Sequence, residues 1–239
     1  MTLRERPSPN RNARPAGGVI DMLVLHYTGM RTAAEAIDRL CDPAAKVSSH
    51  YVVDEDGAVW RLVDEAERAW HAGVSFWQGT EDVNGASIGI ELVNPGHEWG
   101  YRAFPEAQMV ALETLARRIL ARHPIPRDRV VGHSDVAPER KQDPGELLDW
   151  PRLARAGIGF WPARDLPPPR DVAAAQAMLA AIGYRIGASG ALDEQTRLVL
   201  TAFQRRFRPH RIDGALDGET GGRLAAVARE VAALRAGRD

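Results

Sequence analysis

The segment Gly132-His133-Ser134-Asp135-Val136-Ala137-Pro138-Glu139-Arg140-Lys141-Gln142-Asp143-Pro144-Gly145 gathers a His, two Asp, a Glu and a Lys into one short loop. The apolar pair Val130-Val131 precedes it, so His133 is expected at the end of a buried strand. Pro138 and Pro144 lack backbone donors and restrict the residues before them, so no regular helix is expected in the loop. A polar loop held by prolines and mounted on a strand is a place to fix ligands and acid-base groups. Lys141 and Asp143 are two apart, so an extended segment sends both side chains from one face. A cation then sits beside a carboxylate able to bind metal.

Outward from this loop, the chain alternates strands and helices. Residues 20–25 form a nearly all-apolar, hence central, strand that ends at His26. Residues 32–40 read as a helix with Ala34, Ile37 and Leu40 at helical spacing, and 49–63 as a hairpin around Asp54-Glu55-Asp56-Gly57. Residues 87–93 form a strand carrying Glu91, and 105–122 a helix with Met109, Leu112, Leu115, Ala116 and Ile119 on one face. A segment at 149–156 closes the unit. This pattern predicts an α/β fold, a mixed central sheet flanked by helices. The expected organisation is an irregular N-terminal arm at 1–18 and the α/β domain at 19–163. A semi-rigid Pro-rich linker at 164–170 leads to a second, smaller all-α domain at 171–239, with three helices at 171–182, 194–207 and 219–234.

The 239 residues suffice to bury a real core, at 44% hydrophobic and 26% charged. A formal net charge of −1 supplies no field of one sign for nucleic acid or a membrane surface. The single cysteine, Cys41, excludes an internal disulfide framework and a Cys-rich zinc site. No apolar run approaches the ~18 residues of a membrane span. No nucleic-acid partner, membrane span or obligate protein partner is expected. The basic, Pro-rich N-terminus lacks the apolar middle of a secretory signal, so the expected location is the cytoplasm. Periplasmic or outer-membrane placement is the alternative if a signal has been removed.

Three strand ends bring His26, Glu91 and His133 where one sheet can gather them. Two His and one carboxylate, with a fourth position open, fit catalytic zinc. Asp135 and Asp143 are both candidates for the third ligand, although Ser134-Asp135 also reads as a turn or helix cap. Taken singly, Glu91 fits a solvated strand residue as well as an acid-base group, and Lys141 fits a surface cation. His50 fits a hydrogen-bonded core histidine or a cleft residue.

Read together, the segments resemble the zinc-dependent N-acetylmuramoyl-L-alanine amidases, whose fold is shared with peptidoglycan recognition proteins and phage amidase-lysozymes. The matching stretches are 24–28 (VLHYT), 47–51 (VSSHY), 69–73 (AWHAG), Asn84, 87–92 (SIGIEL) and 132–145, in the family's order. The resemblance implies zinc on His26, His133 and Asp143, with Glu91 and Lys141 catalytic. It also implies His50, Tyr51, Trp70, His71 and Asn84 as substrate-binding residues. The helical domain resembles a peptidoglycan-binding module, through Gln176, Leu179, Gly183-Tyr184, Ala202-Phe203-Gln204, Asp213-Gly214 and Thr220. Arg205, Arg206, Arg208 and His210 read as a solvated basic face. The expected activity is hydrolysis of the amide between the lactyl group of (anhydro-)MurNAc and L-Ala. The expected partners are muropeptides and polymeric peptidoglycan. The competing readings are a non-catalytic receptor on the same fold and a zinc hydrolase of an unrelated amide. Receptors of that kind typically lack a zinc ligand, whereas this chain keeps all three.

Overall fold

The computed structural model describes residues 3–237. Its strands are β1 (Leu3–Glu5), β2 (Arg11–Ala13), β3 (Met22–Tyr27), β4 (Tyr51–Val53), β5 (Val59–Arg61), β6 (Glu67–Ala69), β7 (Ser87–Leu92) and β8 (Val130–Gly132). The helices between them are α1 (Ala33–Cys41), α2 (Val83–Ala86), α3 (Gly96–Trp99) and α4 (Glu106–Arg122), and the short α5 (His133–Val136) and α6 (Trp150–Arg155) come after β8. Three further helices follow: α7 (Val172–Ile182), α8 (Glu194–Phe207) and α9 (Gly218–Ala236). Six strands form one mixed sheet in the order β1-β5-β4-β7-β3-β8, and β2 pairs with β6 in a two-stranded sheet. The four strands β4, β7, β3 and β8 are mutually parallel, so their carboxyl ends share one edge. None of the helices of the described residues is long and apolar enough to cross a membrane.

Side-chain alternation along the central strands divides the core in two. Leu23, Leu25, Ile88, Ile90 and Leu92 pack with Met109, Leu112, Leu115 and Ile119 of α4. Met22, Val24 and Val131, on the opposite face, join Trp77 and Val136 in a cluster with Leu179, Tyr184, Val199, Phe203 and Phe207. The sheet is therefore sandwiched, with α4 over one face and the C-terminal helices over part of the other. The helical region shares a continuous hydrophobic core with the sheet. Within that region each helix starts at an Asp cap: Asp171, Asp193 and Asp217 accept from the backbone N–H of Ala174, Thr196 and Thr220. Gln176 donates to Thr196 Oγ1 and Gln204 to Thr220 Oγ1, tying each helix to the start of the next.

Three expectations are corrected. The arm is not irregular, since β1 runs parallel to β5 and β2 antiparallel to β6. Its strands are three residues long and fully exposed, so they show no apolar alternation in the sequence. The site loop opens with one helical turn, α5, because its prolines come only after it and leave the first amides unaffected. The basic stretch is solvated only at His210, since Arg205, Arg206 and Arg208 are buried. Arg208 pairs with Asp213, Asp217 and Glu219, and Arg206 with Asp135.

Arg14 locks the arm to the sheet. Its guanidinium donates to the carbonyls of Glu65, Asn84, Gly85 and Ser87 at 2.8–3.2 Å. Hydrogen bonds from a charged donor contribute about 1.5–3 kcal/mol each but do not add, so Arg14→Ala is expected to lower unfolding free energy by roughly 2–3 kcal/mol. Urea denaturation measures this, and an unchanged midpoint would show that the arm is not held by these bonds.

Candidate metal centre

Strand register assembles the site. His26 of β3 stands beside Glu91 of β7, and Leu25 stands beside Gly132 of β8, so His133 follows immediately past the strand end. In open α/β sheets the crevice beyond the strand carboxyl ends is where ligands bind. The loop then folds back, and the Ser134 N–H donates to the carbonyl of Asp143 at 2.8 Å. As a result His26 Nδ1 lies 2.9 Å from His133 Nδ1 and 2.9 Å from Asp143 Oδ2, and His133 Nδ1 lies 3.0 Å from that same oxygen. All three residues are buried, at 1%, 3% and 7% exposure.

Hydrogen bonding on the far side of each ring assigns the protons. His133 Nε2 is 3.0 Å from the carbonyl of Ala72, an acceptor only, so Nε2 carries a hydrogen, and in the neutral ring Nδ1 is then a bare lone pair. For His26 the assignment passes through two more residues. The Ser87 hydroxyl donates to the carbonyl of Val83 at 2.6 Å, so its oxygen accepts from His71 Nε2–H. His71 Nδ1 then accepts from His26 Nε2–H at 3.0 Å, and His26 Nδ1 is left bare. Two imidazole lone pairs and a carboxylate oxygen thus converge with no proton among them. Burial, reinforced by neighbouring His133, pushes the His26 imidazole down to about 4, so protonation at neutral pH does not relieve the repulsion. This donor set suits a cation, and nitrogen and oxygen donors with one side open suit zinc.

Glu91, Lys141, Trp70 and His71 line one cleft of about 370 Å³ together with His133 and Asp143. Burial pushes the Glu91 carboxyl well above the ordinary range, the Asp143 charge adds to this, and Lys141 opposes it. Glu91 Oε2 is shielded and has no hydrogen-bond partner among the described residues. Trp70 Nε1 donates to Asn12 Oδ1, which holds the indole at the cleft wall.

His50, Tyr51 and Asn84 fall outside this cleft, contrary to expectation. His50 is fully buried: Nδ1 accepts from the Gly89 N–H and Nε2 faces the carbonyl of Glu67. Burial, together with Arg14, pushes its pKa down to about 3, so it is a neutral core residue. The Tyr51 hydroxyl donates to Glu65, and its ring packs in the α4-facing core. The Asn84 side-chain oxygen accepts from the backbone N–H of His71 and Ala72, which fixes the loop that presents His71. Sequence reasoning missed Ser87 and Gly89. Gly89 is needed because a Cβ there would lie 2.6–2.8 Å from the His71 ring.

A family model described as N-acetylmuramoyl-L-alanine amidase matches residues 16–146, and a peptidoglycan binding domain model matches residues 169–224. Over 232 residues the chain is 39% identical to N-acetylmuramoyl-L-alanine amidase AmiD of Escherichia coli, covering 88% of this chain and 83% of that one. The chain belongs to the N-acetylmuramoyl-L-alanine amidase family. It is also 35% identical to 1,6-anhydro-N-acetylmuramyl-L-alanine amidase AmpD of Haemophilus influenzae, over 62% of this chain and 89% of the relative. Among solved structures it resembles E. coli AmiD in complex with anhydro-N-acetylmuramic acid-L-Ala-D-gamma-Glu-L-Lys, with TM-score 0.79, 37% identity and coverage of 94% and 93% of the two chains. AmpDh3 of Pseudomonas aeruginosa in complex with anhydromuramic pentapeptide gives TM-score 0.78 and 36% identity, covering 88% of this chain and 92% of that one.

The close approach at Gly89 is directly testable. Overpacking a well-filled site costs typically about 1–3 kcal/mol, and Gly89→Ala is expected to lose that much stability because the His71 ring must move. A Gly89→Ala variant with parental unfolding free energy would show that the ring has room and that the glycine is incidental.

Proposed function

We propose that this family member uses zinc to hydrolyse the amide between the lactyl group of (anhydro-)MurNAc and the L-Ala of the stem peptide. The observation that supports this most is the convergence of three bare donor atoms, on His26, His133 and Asp143, beside Glu91 and Lys141 in one cleft. His26 and His133 through Nδ1, and Asp143 through Oδ2, would hold the ion. When bound, zinc supplies a Lewis acid that brings water within reach of ionisation near neutral pH.

The chain's own groups supply the remaining steps. Glu91 takes the proton of the attacking water as the new carbon–oxygen bond forms at the lactyl carbonyl, then passes it to the departing amine as the carbon–nitrogen bond breaks. A carboxyl whose affinity for protons is raised by burial is suited to both halves of that transfer. Lys141, on the same cleft, is placed to stabilise the negative charge that develops on the carbonyl oxygen. Trp70 and His71 form part of the wall against which the muramyl peptide would lie. We take 19–163 as the amidase unit and 171–239 as the helical unit. The solved complexes of AmiD and AmpDh3 with anhydro-muramyl peptides support peptidoglycan fragments as the ligand class here.

One set of preparations tests the reading. Mass spectrometry of purified muropeptides treated with the parent chain should show free stem peptide and free muramyl sugar. Glu91→Gln is expected to retain about one zinc per chain while losing about 10²–10⁴-fold in turnover, as for removal of a general acid-base group. His133→Ala should lose the metal. Near-parental turnover by Glu91→Gln would remove Glu91 from the mechanism, and full zinc content in His133→Ala would remove the metal assignment.

A further inference from the structure

Asp135 lies two residues after His133 and is 1% exposed. Its Oδ2 accepts from the Gly132 N–H at 2.8 Å, which fixes the backbone immediately before His133. The other groups that hold this carboxylate come from the helical region. Arg206 Nη1 donates to Oδ2 at 2.9 Å, and the Tyr184 hydroxyl donates to Oδ1 at 2.7 Å. Arg206 also donates through Nη2 to the carbonyl of Val130 at 3.0 Å, so one guanidinium spans strand β8 and the turn that follows it. The guanidinium is held in turn, 4.1 Å from the Trp150 ring centroid and 4.7 Å from that of Phe207. Tyr184 packs edge-on against Trp77 at 5.0 Å. The preceding residue of α8, Arg205, places Nε 3.7 Å from Glu146 Oε2, just beyond Asp143. Helix α8 therefore reaches the metal loop on both sides, after His133 and after Asp143.

We propose that the helical domain braces the metal-binding loop, with Arg206 and Tyr184 as positioning residues that act through Asp135. The inference rests on the metal reading above. A buried carboxylate with its charge paired and both oxygens hydrogen-bonded has one rotamer and one location. The backbone it grips is the one that aims His133 Nδ1 at its two fellow donors. Sites of this kind tolerate only about 0.5 Å of misplacement, so loosening Asp135 spreads the donor triangle. The role requires no glycan on the module, although it leaves the module's outer surface free.

The test measures zinc affinity by competition with a chromophoric chelator, in the full chain. Tyr184→Phe removes one hydroxyl at nearly constant shape, and Arg206→Lys keeps the charge while losing the two-pronged grip. Leu224→Ala, in the buried core of α9, destabilises the same domain away from Asp135. The brace predicts that Tyr184→Phe and Arg206→Lys weaken zinc binding about tenfold, the low end of what outer hydrogen-bond partners of metal ligands contribute. Leu224→Ala, with an equal or larger drop in Tm, should keep the parental Kd. Parental zinc affinity in both loop-gripping variants overturns the brace, and so does equal weakening by Leu224→Ala, since general loosening would then explain the loss. A parent chain that takes up no zinc overturns the metal reading itself and the brace with it.

Discussion

Two imidazole lone pairs and a carboxylate oxygen point at one another across 2.9–3.0 Å inside a buried pocket. Such an arrangement repels itself, and a cation is what makes it favourable. Much of the surrounding chain serves to hold it. Register between β3, β7 and β8 brings the strand ends level. Gly89 clears the space for His71, Asn84 fixes the loop that delivers it, and Ser87 sets its proton. The Ala72 carbonyl does for His133 what His71 does for His26. Partners of this kind on the far nitrogen are what orient metal-binding histidines and raise their basicity.

The second constraint is the coverage of the sheet. His26 and Glu91 stand on the same face as Met22, Val24 and Gly89, opposite the face that packs on α4. That face also takes the hydrophobic cluster of the C-terminal helices, so His26 and Glu91 sit at the margin of the interface between the two regions. Buried ion pairs such as Arg206–Asp135 contribute little net stability against an apolar alternative, because desolvation offsets the attraction. What such a pair supplies is a fixed relative position. A linker of three consecutive prolines, with the Leu166 N–H bonded to the carbonyl of Gly222, keeps the junction short and stiff for the same purpose.

The residues best read from the sequence were those at strand ends. His26, Glu91 and His133 each follow an apolar run, and the period of a strand fixes which side they face. Lys141, Trp70 and His71 were placed by family-like segments, and the structure lines one cleft with them. His50 and Tyr51 lay in segments just as specific, yet they point into the protein, and Asn84 turns its side-chain oxygen to the backbone of the His71 loop. A motif preserves a neighbourhood, and a residue that positions its neighbour is as fixed within it as one that touches substrate. The arm strands left no trace because their side chains are exposed and only their backbones pair. Arg205 and Arg206 misled for the converse reason. Local charge says nothing about acids such as Asp135, which lies 71 residues away in the chain.

The proton positions carry the central claim, and nitrogen-15 NMR of the imidazole rings reads them directly. In the zinc-loaded protein, His26, His71 and His133 are each predicted to be neutral with the hydrogen on Nε2, and the Nδ1 resonances of His26 and His133 should bear the shift of a metal-coordinated nitrogen. A hydrogen on Nδ1 of either His26 or His133 would contradict the account, since a protonated Nδ1 has no lone pair to offer the ion.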